Sequence, residues 1–118
     1  MMPITFIILG EPCSMKNSRR ILRNRKTGKP FSAKSTEAVA YLLSARSQIP
    51  RQSPLIDIPV SVTATLFYTD RRRDLDFELG FDAMQGRIYV NDRCVTEKHL
   101  FRKIDKLNPR AVVTVEQI

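Results

Sequence analysis

Val60-Ser61-Val62-Thr63-Ala64-Thr65-Leu66-Phe67-Tyr68 is the stretch on which the reading of the fold turns. Val60, Val62, Ala64 and Leu66 fall on one face and Ser61, Thr63 and Thr65 on the other. A period of two with β-branched residues predicts a strand buried on one side. Such a strand needs a covering layer, so the flanking segments must supply one. Downstream, residues 75–84 predict a short helix with Asp74 near its N-cap and Gly86 closing it. Residues 87–90 predict a brief strand stopped by Asn91-Asp92, and residues 94–104 a longer strand of mixed charge. Residues 111–118 set Val113 and Val115 against Thr114 and Glu116 as a last strand.

Upstream, a Pro-containing connector follows a helix that starts at Ser35 or Thr36 and stops before Pro50. Its apolar residues, Ala38, Val39, Tyr41, Leu42, Leu43 and Ala45, recur at helical spacing. Thr27-Gly28-Lys29-Pro30 reads as a turn joining two short strands, and Ile4–Leu9 as a buried first strand. Strands and helices are interspersed without strict βαβα order. The expectation is α+β: a single domain over residues 1–118, with a mixed sheet of about 4–6 strands and two main helices on one face.

A chain of 118 residues can bury roughly two-thirds of its unfolded surface and fold without disulfides or structural metal. Twenty Lys and Arg against twelve Asp and Glu leave a net charge of +8. That excess points to a polyanion as partner, nucleic acid ahead of an anionic membrane surface. No apolar run approaches the roughly 20 residues of a membrane span. The opening residues lack the basic region and cleavage site of a signal peptide. The two cysteines, Cys13 and Cys94, form no C-x-x-C, which favours a reducing cytoplasm over a disulfide framework. A lone His99 beside them argues against structural zinc and against a His-dependent nucleophile. Phosphate-cradling glycine motifs are missing, so no nucleotide cofactor or small-molecule substrate is indicated. Any chemistry must come from carboxylates, lysines and bound ions.

Asp70, Asp74, Asp76, Glu78, Asp82 and Asp92 are six of the twelve acids, gathered within a 23-residue window. In a basic chain such a cluster is costly unless a cation sits in it. Mg²⁺ and Mn²⁺ take hard oxygen ligands, typically a few carboxylates with water and phosphate. Asp74 and Asp76, two apart in an extended segment, can face one ion. Asp92 can join them if its short strand lies alongside. The competing reading is an N-cap, ion pairs to the arginines and solvated turns. The stretch from Pro12 to Thr36 holds no acid but carries Lys16, Arg19, Arg20, Arg23, Arg25, Lys26, Lys29 and Lys34. With one aromatic, Phe31, it suits backbone-directed phosphate binding more than base stacking. Arg71, Arg72 and Arg73 extend that surface to the rim of the carboxylates.

These pieces fall in a recognisable order: Gly10-Glu11-Pro12 through Lys16-Asn17-Ser18-Arg19-Arg20, then Arg71-Arg72-Arg73-Asp74-Leu75-Asp76, then Asp82-Ala83-Met84-Gln85-Gly86, then Tyr89-Val90-Asn91-Asp92. In this order and spacing the set resembles the RusA-like Holliday junction resolvases, commonly of phage and prophage origin. The resemblance spans nearly the whole chain. It implies a homodimeric Mg²⁺-dependent endonuclease, with Mn²⁺ as substitute, that cuts branched DNA at four-way junctions in recombination and repair. The setting it implies is the cytoplasm of a bacterial or phage-infected cell. Catalytic and metal-binding carboxylates would be Asp74, Asp76 and Asp92. Lys16, Arg19, Arg20, Arg23, Arg25, Lys26 and Arg71 to Arg73 would hold the DNA. The sequence departs from the family pattern at Phe77, where Asn is usual, at Gly80, where a functional Lys is usual, and at Asn91, the first position of an Asp-Asp pair. Lys98 or Lys103 can substitute for the missing lysine from the following strand, and Glu78 can add a ligand. The alternative is a protein on the same fold that binds junctions without cutting them.

Overall fold

The computed structural model describes residues 2–14 and 19–118, without the side chains of residues 19–21 and 31–34. In chain order the elements are β1 (Ile4–Leu9), β2 (Arg19–Arg23), β3 (Pro30–Lys34), α1 (Thr36–Gln48), β4 (Val60–Tyr68), α2 (Glu78–Met84), a 3-10 turn (Asp92–Cys94), β5 (Val95–Ile104) and β6 (Arg110–Gln117). One four-stranded sheet has the order β1-β6-β4-β5, and β2-β3 form a separate hairpin. β6 is antiparallel to both β1 and β4, whereas β5 runs parallel to β4. The fold is α+β with a mixed sheet and two helices, as the alternation of patterns predicts.

The alternation of β4 sets the architecture. Val60, Val62, Ala64 and Leu66 are fully buried, and the pattern carries on to Tyr68. Register places Val62 beside Val115, Ala64 beside Val113 and Leu66 beside Ala111. Val113 and Ala111 in turn adjoin Phe6 and Ile8 of β1. One apolar face therefore runs across β1, β6 and β4, and Ala45 and Ile49 from the α1 end, with Phe81, Ala83 and Met84 of α2, complete its core. Each fully buried Val, Leu, Ile or Phe side chain there contributes about 1.5–3 kcal/mol.

Ser35 caps α1, its hydroxyl accepting from Ala38 N–H at 3.2 Å. Ala38, Tyr41, Leu42 and Ala45 form the inward stripe, while Val39 and Leu43 face solvent. At the far end the Gln48 amide bonds both backbone groups of Leu9, at 2.7 and 3.1 Å. That pins α1 to the exit of β1.

Two local expectations are corrected. The second helix begins at Glu78, not 75, and Asp74 does not cap it. The Tyr68 hydroxyl holds the Asp74 carbonyl at 2.9 Å, and the Asp76 carboxylate accepts the Glu78 N–H at 2.8 Å. Residues 74–77 are thereby kept out of the helix. Residues 87–90 are not a strand. Arg87 and Ile88 N–H donate back to Met84 O, and Gly86 (φ +83°) turns the chain. Ile88 and Tyr89 are buried because this turn is clamped on Ile56, which donates to Ile88 O and accepts from Val90 N–H.

Candidate functional site

β4 ends at Tyr68, and the acidic window is the crossover that leads from β4 to its parallel neighbour β5. The Tyr68 side chain is buried, and that burial pushes its phenol up. Its hydroxyl donates to Asp74 O, and Asp76 N–H approaches it at 3.5 Å. The next residue, Thr69, is held by Glu11 from the β1 exit. Its N–H donates to Oε2 at 3.1 Å and its hydroxyl to Oε1 at 2.9 Å. The same carboxylate lies 3.1 Å from Arg73 Nε. Arg73 is more than half exposed, so this ion pair orients the loop rather than stabilising it by more than about 1 kcal/mol. Ser14 Oγ donates to Asp76 Oδ2 at 3.1 Å, so both oxygens of that carboxylate are oriented by hydrogen bonds.

Between these segments and the start of α1 lies a cavity of about 670 Å³. Four carboxylates, Glu11, Glu37, Asp70 and Asp74, line it together with Arg72 and Arg73. Tyr41 also lines it, and the buried Tyr41 hydroxyl has no hydrogen-bond partner among the described residues. Burial drives the Tyr41 phenol far above its ordinary range, so it stays a neutral donor.

Asp74 is thus exposed at the cavity wall, and Asp76 is half-buried and oriented beside it. Asp92 is exposed at the start of the 3-10 turn, and its N–H donates to Gln85 Oε1 at 3.0 Å. Asp76 and Asp92 are therefore tied to opposite ends of the seven-residue α2, a helix about 10 Å long. The strand that would have set Asp92 alongside Asp74 and Asp76 is a turn. Asp92, Asp82 and Glu78 instead lie around Tyr89, whose phenol is raised first by burial and then by those charges. The Tyr89 hydroxyl donates to Phe81 O at 2.7 Å.

Among the described residues, no three His, Cys, Asp or Glu side chains form a metal-holding group. The cavity offers carboxylate oxygens from Glu11, Glu37, Asp70 and Asp74, with the Cys13 thiol beside them. It fits a hard divalent ion held by a few carboxylates and otherwise by water and phosphate oxygens. Of the two aspartates expected to hold such an ion, Asp74 lines the cavity, and Asp76 accepts from Ser14, which also lines it.

Of the basic residues, Lys16 lies outside the described residues, and Arg19 and Arg20 are described only as backbone of β2. Arg23, Arg25 and Lys26 are exposed at the end of β2 and in the hairpin turn. Asn24 Oδ1 builds that turn by accepting from Lys26 and Thr27 N–H, while Arg23 Nη1 donates to Gly28 O at 3.0 Å. Arg71, Arg72 and Arg73 are exposed along the loop after β4.

Phe77 and Gly80 pack against each other near α2. A Cβ on Gly80 would run into the Phe77 ring, which is buried edge-on against Phe81 at 5.4 Å between centroids. A lysine at position 80 therefore has no room beside Phe77. Lys98 of β5 reaches the same side, its Nζ 3.5 Å from Glu78 Oε1 and 4.3 Å from the Phe81 ring centre. Lys103 lies over Phe67 on the other face of the sheet, away from α2. His99 is half-exposed beside Glu97, and Cys13 and Cys94 are partly buried thiols.

Sequence reasoning passed over Glu11, Tyr41 and Tyr68. Glu11 carried one signal: it is the last acid before the acid-free basic stretch. No protein-family model and no curated protein matches the chain. Among the described residues, no helix is long and apolar enough to cross a membrane.

Proposed function

We propose that this chain is a RusA-like, metal-dependent endonuclease that cuts four-way DNA junctions. The observation that carries the reading is the cavity at the end of β4. Its oriented carboxylates meet Arg72 and Arg73 in a protein of net charge +8. The ordered motif set described above supports the same reading. Asp74 and Asp76 would hold a Mg²⁺ or Mn²⁺ ion, whose chemistry is to neutralise a scissile phosphate and activate water. Ser14 and the Glu78 N–H fix the direction of the Asp76 carboxylate. Glu11 fixes the entry of the loop through Thr69 and Arg73. The Tyr41 hydroxyl is a neutral donor that a phosphate oxygen would satisfy. Arg71 to Arg73 and the hairpin cations bind the sugar-phosphate backbone without reading bases. Asp92 enters as a third carboxylate on the resemblance alone.

The test is cleavage of a labelled four-way junction with Mg²⁺ and with Mn²⁺, beside a linear duplex. Paired nicking of the junction, reduced at least about 100-fold by Asp76→Asn, is the expected result. Loss of activity in Asp92→Asn as well would bring that residue into the site. The second reading, a junction binder that does not cut, is favoured by Phe77 filling the space a lysine at position 80 would need. It predicts tight binding, no nicking with either metal, and affinity unchanged or improved by Asp76→Asn.

A further inference from the structure

β5 is an edge of the four-stranded sheet and runs parallel to β4, so the two strands end side by side. Asp105 N–H, just past β5, donates to Tyr68 O at 2.8 Å. The loop that carries Asp74 and Asp76 starts at this same end. Successive residues of a strand point to opposite faces. Register sets Lys98 beside Val62, Leu100 beside Ala64, Arg102 beside Leu66 and Ile104 beside Tyr68. The β4 partners are all buried, so these four residues of β5 share the face on which the helices pack. Leu100 packs against the core there, and Lys98 Nζ lies 4.3 Å from the Phe81 ring centre. α2 has only seven residues, and Arg102 and Ile104 stay exposed.

Arg102 thereby stands beside the tyrosine that organises the carboxylate loop. The Tyr68 hydroxyl donates to Asp74 O at 2.9 Å. Burial raises that phenol, and three charged side chains act on it as well: Asp76 from the loop, Arg102 from β5 and Glu11 from the β1 exit. The other two cations of β5 are engaged, Lys98 with Glu78 and Lys103 over the Phe67 ring. Arg102 enters no ion pair or ring contact among the described residues. An edge strand can carry cations simply to discourage pairing with another chain. That role asks nothing of position, whereas Arg102 sits next to the residue that sets Asp74.

We propose that Arg102 holds a backbone phosphate of the bound DNA at the β5 edge of the site. The sheet order puts β5 on one side of β4 and β1 on the other. The cavity with Arg72 and Arg73 borders the β1 exit through Glu11, so Arg102 supplies a cation on the far side of Tyr68. A DNA strand that enters over the cavity then leaves across the end of β4 and the edge of the sheet. A guanidinium suits this position, because its fork can give two parallel N–H bonds to one phosphate. The contact is to the backbone and adds no base preference. The inference rests on the reading of this site as one that takes DNA, and holds whether or not the chain cuts it.

Fluorescence anisotropy of a labelled four-way junction across a salt series, without divalent metal so that no strand is cut, tests it. Arg102→Gln should weaken binding about 10-fold and make the slope of log K against log salt shallower by about one for each chain bound. Arg102→Lys should keep the wild-type slope. Lys103→Gln, one residue along β5 but on the other face, should leave slope and affinity as they are. Thermal melts establish that each variant is folded. An unchanged slope in Arg102→Gln, an equal loss in Lys103→Gln, or a slope in Arg102→Lys that falls as far as in Arg102→Gln would each overturn the proposal while leaving the DNA reading intact. A wild type with no salt-dependent affinity for the junction would overturn both.

Discussion

Tyr41, Tyr68 and Tyr89 are the chain's three tyrosines, and burial raises the phenol of every one. Two of them do structural work through their hydroxyls: Tyr68 sets the Asp74 carbonyl and Tyr89 the Phe81 carbonyl. A folded-state pKa above the unfolded value of about 10 means that the neutral phenol favours the fold. The corresponding stability is complete below that pH and is lost as the pH rises through and beyond it. Near-ultraviolet titration should therefore show little phenolate near pH 10 in the folded protein. At higher pH, phenolate absorbance and unfolding by circular dichroism should rise together. A smooth titration centred near the ordinary phenol value, with the fold intact, would contradict the burial of these residues.

Helix α2 is short, and Phe77, Gly80 and Phe81 form its packed core side. In an open helix, Gly80→Ala would stabilise by about 1 kcal/mol. Here the new methyl meets a buried ring, and overpacking costs about 1–3 kcal/mol. Gly80→Ala should lower the stability measured in urea, and should cost less in a Phe77→Leu background. A stabilised Gly80→Ala protein would show that the ring yields freely. The elements differ in how far they could be read from sequence, for a physical reason. β4 and β6 alternate with a period of two, α1 carries apolar residues at helical spacing, and Ser35 is a cap by local chemistry. The start of α2 depends on Tyr68 reaching Asp74, and the turn at 87–90 on Ile56, some thirty residues upstream. Such contacts leave no periodic trace. At the site, Asp74 and Asp76 stand out as acids concentrated in a basic chain. Glu11 does not, because its partner Thr69 is 58 residues away.

At the scale of the molecule, the proposed function makes phosphate contact, through the net charge of +8 and the cation-bearing hairpin turn and loop, the expected source of affinity for DNA. If six to eight phosphates are neutralised per junction, log K should fall against log salt with a slope of about −5 to −7. Competition binding across a salt series measures this, and a slope near zero would remove the electrostatic basis for DNA binding. The strand order β1-β6-β4-β5 has a consequence for synthesis. β1 precedes the other strands but hydrogen-bonds within the sheet only to β6, the last of the sheet's strands in chain order. β4 likewise waits for β5 on one side and β6 on the other. The nascent chain therefore has no complete sheet while it is still tethered to the ribosome short of residue 110. Its apolar first strand must be kept from other partners until the last strand emerges and closes the gap between β1 and β4.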